Sequence, residues 1–218
     1  MKKKRFPLIL ASASPRRQEL LEAAGVPLRV VPSNADERFR GGERPEIHAL
    51  RLAREKAREV ARQFPARWVL AADTVVVVDG RVLGKPKGPG EAGRMIRLLS
   101  GRKHRVITGY CLLGPGGRKG KEGRVTTRVF FKSLDPAEIR WYIATGEPFD
   151  KAGGYAIQGQ GAFLVKKIEG SYTNVVGLPL SEVIEALKEI EAVEIFNEYS
   201  LQRAQRTRRK IIKLKYRK

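Results

Sequence analysis

The chain has 218 residues, 42% of them hydrophobic and 31% charged, and a formal net charge of +21. That length supports one domain of ordinary upper size, or two small lobes on a shared sheet, and no apolar run approaches the roughly 20 residues that a membrane helix needs. Thirteen of the 44 Lys and Arg residues lie in 2–5 and 201–218, which leaves the body at about +8 and makes the excess largely terminal.

Such a tail could neutralise nucleic-acid phosphates without reading sequence, but no aromatic–basic interleaving accompanies it, and a solvated tail is the plainer reading. Behind Lys2 to Arg5 the apolar stretch Phe6 to Ala13 is too short for a signal peptide and reads better as a first strand. The single cysteine, Cys111, cannot form an internal disulfide, and its apolar surroundings suggest a small buried side chain in a reducing compartment. The expectation is a soluble, cytoplasmic α/β protein.

A strand over Pro7 to Ser12 is followed by a helix over Pro15 to Ala24. Ser14 is placed to cap it, Pro15 has the fixed φ of a first helical position, and Gly25 can turn left-handed just past the end. A second strand spans Leu28 to Pro32. Over 45–64, Ile47, Leu50, Ala53, Ala57, Val60 and Phe64 recur every three to four positions and predict a long amphipathic helix, with Arg and Glu dense on its other face. Trp68 to Val78 is an almost continuous β-branched run, which suits a central strand covered on both faces. Asp79 and Gly80 then make a hairpin turn into Arg81 to Leu83. A short helix follows over Gly90 to Leu99. Strands at Val106 to Leu113 and Arg124 to Lys132 flank a Gly-rich loop, Gly114 to Gly123, and form a long hairpin. A helix over Pro136 to Ala144, a Gly-rich segment from Gly146 to Gly161, a strand near Phe163 to Lys167 and a helix from Ser181 to about Ala192 complete the body. Hairpins mixed into strand–helix alternation predict a mixed twisted sheet flanked by helices.

Four groups of residues can carry chemistry. In Ser12 to Arg17, backbone N–H groups at a helix start attract phosphate, Arg16 and Arg17 add paired donors, and Ser12 and Ser14 can donate as well. Two arginines at a helix start can equally be idle. Asp73, with Thr74 beside it, interrupts an apolar strand; burying a carboxylate costs several kcal/mol unless a cation or metal meets it. A capping or turn aspartate is the other reading. Asp36, Glu37, Lys56 and Lys85 offer the mixture of oxygens and ammonium groups that a metal–phosphate cleft requires, though each alone could be a solvated side chain. Finally, Asp150, Lys151, Tyr155, Gln158 and Ser171 lie among glycines that permit close approach to a flat ligand, and a Gln amide can read base edges. His48 and His104 have no metal-ligand spacing, and no P-loop, nucleophile elbow or CxxC pair is present.

Together these pieces resemble the Maf family of nucleotide pyrophosphatases. The matching strings are LASASPRRQELLEAAGV at 10–26, RLAREKA at 51–57, AADTVVVVDGRVLGKP at 71–86, LSGRKHRVITG at 99–109, GEPFDKAGGYAIQGQGA at 146–162 and IEGSYTNVVGLPL at 168–180. The resemblance implies an inosine-triphosphatase-like fold with a cleft between two lobes, a homodimer, and release of pyrophosphate from nucleoside triphosphates dependent on a divalent cation, Mg²⁺ or Mn²⁺. DKAGGYAIQG is similar to the form of the motif in members that act on dTTP and UTP. On the matching positions Asp73 is similar to the proton acceptor, Arg16, Thr74 and Gln158 match positions tied to substrate choice, and Glu37, Lys56 and Lys85 match further cleft positions; the charge on a triphosphate adds the expectation that Glu37 and Asp73 hold the metal. A family-like domain is thus expected over 1–199 and a basic tail outside the pattern over 200–218. The competing class is a nucleotide- or nucleic-acid-binding regulator of cell division that does not turn over substrate.

Overall fold

A computed structural model describes residues 7–193; the expected tail at 200–218 lies outside the described residues. The elements run β1 (Leu8–Leu10), α1 (Pro15–Ala23), β2 (Leu28–Val30), α2 (Pro45–Gln63), β3 (Val69–Val78), β4 (Arg81–Leu83), α3 (Pro89–Leu99), β5 (Lys103–Leu113), β6 (Lys119–Phe131), α4 (Pro136–Ala144), β7 (Val165–Glu169), α5 (Tyr172–Val176) and α6 (Leu180–Glu189). One seven-stranded sheet has the order β2-β1-β3-β5-β6-β7, with β4 paired to β3. The pairs β1–β2 and β1–β3 are parallel and the rest antiparallel, so the sheet is mixed, as expected.

The apolar run of β3 is buried along nearly its whole length because it lies inside the sheet with layers on both faces. Leu8, Leu10, Leu70 and Leu112 pack with Leu21 of α1 and Val183 and Leu187 of α6 on one face. Ile9, Val69, Ala71 and Cys111 meet Ala53, Ala57 and Val60 of α2 on the other. At the far ends of β3 and β5, Val76, Val78 and Val106 join Ile96 and Leu99 of α3 and Ile139 and Tyr142 of α4 in a separate core. Each fully buried Leu or Val contributes roughly 1.5–3 kcal/mol, so these clusters are what hold the two lobes to their shared strands.

The edge of β3 explains where the lobes part. Toward β1 it pairs only at Val69 and Leu70, and toward β4 only at Val76 to Val78. Residues 71–75 have no strand neighbour on that side. A groove opens there, beyond the carboxyl end of β1, where open α/β sheets commonly bind ligands.

Several local expectations need correction. Ser14 occupies the N-cap of α1, but its side chain makes no capping bond; instead its backbone N–H donates to Ser12 Oγ at 3.2 Å. The buried stripe of α2 is rotated from the predicted one. Ile47 is 41% exposed, whereas His48, Leu52 and Lys56 are buried. The helix is aimed by what it must cover, including a polar site, and hydropathy alone does not register that. The loop after β5 is shorter than expected: β6 begins at Lys119, because Gly120 and Gly123 leave space for Trp68 and Tyr110 to lie over the strand. A 3₁₀ segment at Gly159–Leu164 delays β7 to Val165, and the short helix α5, capped by Ser171 Oγ, lies in a stretch to which no element had been assigned. The Asp79–Gly80 turn is as expected, with both residues at positive φ (47° and 76°) in a two-residue hairpin.

Candidate active site

The groove encloses a cavity of about 530 Å³ that includes Ser12, Arg16, Glu37, Lys56, Asp73 and Gln158. Ser14, Arg17, Thr74 and Lys85 also line it, as do Asp150, Lys151 and Tyr155, whereas Asp36 and Ser171 lie outside the lining.

Its acidic wall is built by the contact of α2 with the sheet. Asp73 lies opposite Gly109 in the β3–β5 register. A Cβ on Gly109 would come within 2.5–2.6 Å of the backbone of Ala49 and Leu50, so only glycine lets α2 settle this close. Ala49, Ala53 and Lys56 follow at helical spacing on that buried face, and Lys56 is thereby delivered to Asp73. Lys56 Nζ donates to Asp73 Oδ1 at 2.7 Å and to Glu37 Oε1 at 2.6 Å. Asp73 is 8% exposed and Lys56 7%, so the pair is shielded, while Glu37 stands at the open side. Burial pushes the Glu37 carboxyl up, but the Lys56 hydrogen bond and the charges of Lys56, Lys85 and Arg17 outweigh it, and its pKa falls below the usual carboxylate range.

Glu37 sits in a long irregular segment, 31–44, that is tied down to α2. Asn34 N–H donates to Glu59 at 3.1 Å, with Ser33 Oγ on the same carboxylate, and Arg40 pairs with Glu55 at 2.8 Å. Phe39 stacks on His48 at 3.4 Å between ring centroids. Glu43 closes the segment through Arg51 at 2.7 and 2.8 Å and His48 Nδ1 at 3.0 Å; chiefly the Arg51 hydrogen bonds hold its carboxyl down at about 2.

On the opposite wall the two arginines differ. Arg17 is buried and donates through Nε to the Gly177 carbonyl at 2.8 Å, through Nη1 to Ser12 Oγ at 3.0 Å and through Nη2 to Thr74 Oγ1 at 3.1 Å. Burial lowers its pKa, against the opposing charges of Asp73 and Glu37. Much of the Arg17 fork is thus spent on holding α1, β3 and the Gly177 turn together. Arg16 is the more available donor, with a 3.4 Å contact to Asp150. Thr74 Oγ1 also meets Thr108 Oγ1 at 2.9 Å and the Gly177 carbonyl at 3.3 Å. Lys85 is exposed at the rim, and neither it nor the Gln158 amide has a hydrogen-bond partner among the described residues.

Thr108 and the Gly177 carbonyl were not among the predicted residues. Thr108 carried a faint signal, a hydroxyl inside an apolar strand, but only the β3–β5 register sets it opposite Thr74. The role of Gly177 is a backbone one, and its φ of +126° shows why a glycine stands there. Ser171 caps α5 and lies outside the cavity lining.

The description "Maf-like protein" belongs to the family model that matches residues 7–190. The dTTP/UTP pyrophosphatase of Syntrophus aciditrophicus is 54% identical over 183 residues, covering 84% of this chain and 89% of that relative. That of Geotalea uraniireducens is 53% identical over 191 residues, covering 86% and 96%. Among solved structures, a nucleoside-triphosphatase/dITP/XTP pyrophosphatase from Mycobacterium abscessus aligns over 86% of this chain and 96% of its own, at 16% identity and a TM-score of 0.42. With nearly the whole described body matched, the chain belongs to the Maf-like protein family.

Proposed function

We propose that this protein hydrolyses nucleoside triphosphates, dTTP and UTP by preference and modified pyrimidine nucleotides among its further substrates, to the monophosphate and pyrophosphate. The observation that carries the reading is the Asp73–Lys56–Glu37 group set in the same groove as Arg16, Lys85 and the start of α1. The names of the relatives support the same chemistry.

The α-phosphorus is screened by negative oxygens, so water attacks only once charge is offset and a proton is removed. Asp73 Oδ1 is held by Lys56, and its other oxygen, which has no hydrogen-bond partner among the described residues, accepts the proton of the attacking water. The new bond joins water oxygen to the α-phosphorus as the bond from that phosphorus to the bridging oxygen breaks, and pyrophosphate carries away the electron pair. Arg16, Lys56 and Lys85 bind the departing anion, with the N–H groups opening α1 and the hydroxyls of Ser12 and Ser14 beside it. Arg17 orients Thr74 and Ser12, and Gln158 presents its amide to the base.

Among the described residues no three His, Cys, Asp or Glu side chains form a metal cage. Two carboxylates nevertheless converge on one cation, the Lys56 ammonium, and that oxygen donor set fits a divalent ion. Glu37 and Asp73 would hold Mg²⁺ or Mn²⁺, which supplies charge neutralisation to the triphosphate. A homodimer rests on the family resemblance and a cytoplasmic location on composition and the lone cysteine; no helix among the described residues is long and apolar enough to cross a membrane.

The test is pyrophosphate release by the full chain across the common nucleoside triphosphates, with and without Mg²⁺ or Mn²⁺. UTP and dTTP should be cleaved fastest, and only with metal. Faster cleavage of a purine nucleotide removes the base preference. Absence of release, with nucleotide still bound, favours the regulatory binder.

A further inference from the structure

The Gly-rich wall has a clamp of its own. Glu147 follows α4 after a left-handed Gly146 (φ 76°) and lies at the start of the segment that ends at Gly161. Its carboxylate turns back onto that segment. Oε1 accepts from Gly161 N–H at 2.9 Å and from the Tyr142 hydroxyl at 3.0 Å, and Oε2 accepts from Gln160 N–H at 2.9 Å. The buried Tyr142 hydroxyl in turn accepts from Ala156 N–H at 3.1 Å. Residues 156–161 are therefore held at both ends by one carboxylate and one phenol, and between them lie Ile157 and Gln158, which line the cavity.

The glycines of the segment fit the same device. A Cβ on Gly159, which has φ +65°, would stand 2.6 Å from Glu147 Oε2, and one on Gly161 2.7 Å from the Tyr142 oxygen. The close approach that brings the carboxylate onto the backbone is what the glycines permit. Two N–H groups on the carboxylate, and a third on the phenol that the carboxylate holds, fix a stretch that has no strand or α-helix to order it.

We infer that Glu147, with Tyr142, is a positioning residue for base selection: it sets the path of 156–161 and so the place of the Gln158 amide. This rests on the proposed pyrophosphatase reading. Glu147 reaches the substrate only through that backbone, and it stands apart from the Asp73–Lys56 chemistry.

The test compares wild type with Glu147→Gln, which keeps one acceptor oxygen, Glu147→Ala, which keeps none, and Tyr142→Phe, which removes only the hydroxyl link. Amide hydrogen exchange over 156–161 should rise in all three. KM for UTP should increase about tenfold in Glu147→Ala while kcat stays within about threefold, the UTP-over-ATP ratio of kcat/KM should fall about tenfold, and Glu147→Gln should be milder. A purely structural role would lower Tm and the active fraction but leave KM and the ratio unchanged, and that result overturns the inference. So does unaltered exchange. If wild type releases no pyrophosphate from any nucleotide, the functional reading falls and the selectivity claim falls with it, whereas the exchange measurement still decides whether the clamp orders the segment.

Discussion

Asp73 and Lys56 face each other at 2.7 Å although 17 residues separate them, and the ammonium that meets Asp73 also meets Glu37. In Asp73→Asn the shape is kept but the acceptor of the water proton is lost. Turnover should drop by about 10² to 10⁴, the usual worth of a general base, with far-ultraviolet circular dichroism unchanged. A folded variant with near-normal kcat would remove Asp73 from the mechanism.

Gly109 tests how that pair is assembled. In Gly109→Ala the new methyl meets the α2 backbone, which cannot move like a flexible side chain. Overpacking of this kind costs about 1–3 kcal/mol or more, and it should displace Lys56 from Asp73. Urea unfolding should show the loss of stability, and the remaining folded protein should have lowered kcat. A variant as stable and active as wild type contradicts the close approach of α2.

Arg17 separates binding from scaffolding. Lysine keeps the charge but cannot reach Gly177, Ser12 and Thr74 together. Arg17→Lys should lose about 1–3 kcal/mol, the cost of leaving buried partners unsatisfied. Arg16→Lys, at a half-buried site with one long contact, should leave the urea midpoint nearly unmoved and raise KM for nucleotide. Equal effects of the two on stability would refute the distinction.

His104 provides the pH test. Burial lowers its pKa from 6.5 to about 4, and its Nε2 is 2.7 Å from the Tyr155 hydroxyl. Because the folded pKa lies below the unfolded one, its contribution is fully present above about pH 6.5 and is lost as pH falls toward about 4, with a slope of at most about 1.4 kcal/mol per pH unit. His104→Gln removes this titration, so its stability should decline less steeply than that of wild type between pH 6.5 and 4 in urea unfolding. Parallel declines would show that His104 does not titrate with folding.

Much of this was legible in the sequence because local signals agreed. The β-branched run of β3, Pro15 and Gly25 bracketing α1, and the Asp79–Gly80 turn each specify backbone directly. Asp73 stood out since a carboxylate inside such a run needs a partner. That the partner is Lys56 could not be read from spacing, because it depends on Gly109, which only the β3–β5 register sets opposite Asp73 and under α2. Arg17 lines the groove, but a side chain's donors can be counted only once the carbonyl of Gly177 and the hydroxyls of Ser12 and Thr74 are beside it. Glu147 gave no signal at all, since its partners are mostly backbone N–H groups.

The tethers on 31–44 have one more consequence. Every anchor of that segment named above, at Glu59, Glu55, His48 and Arg51, belongs to a single helix that also bears Lys56. Glu37 and its ammonium partner thus ride on one rigid body seated against the sheet. A nucleotide entering or leaving the groove therefore meets the two as one unit, because parting them would require a packed helix to slide.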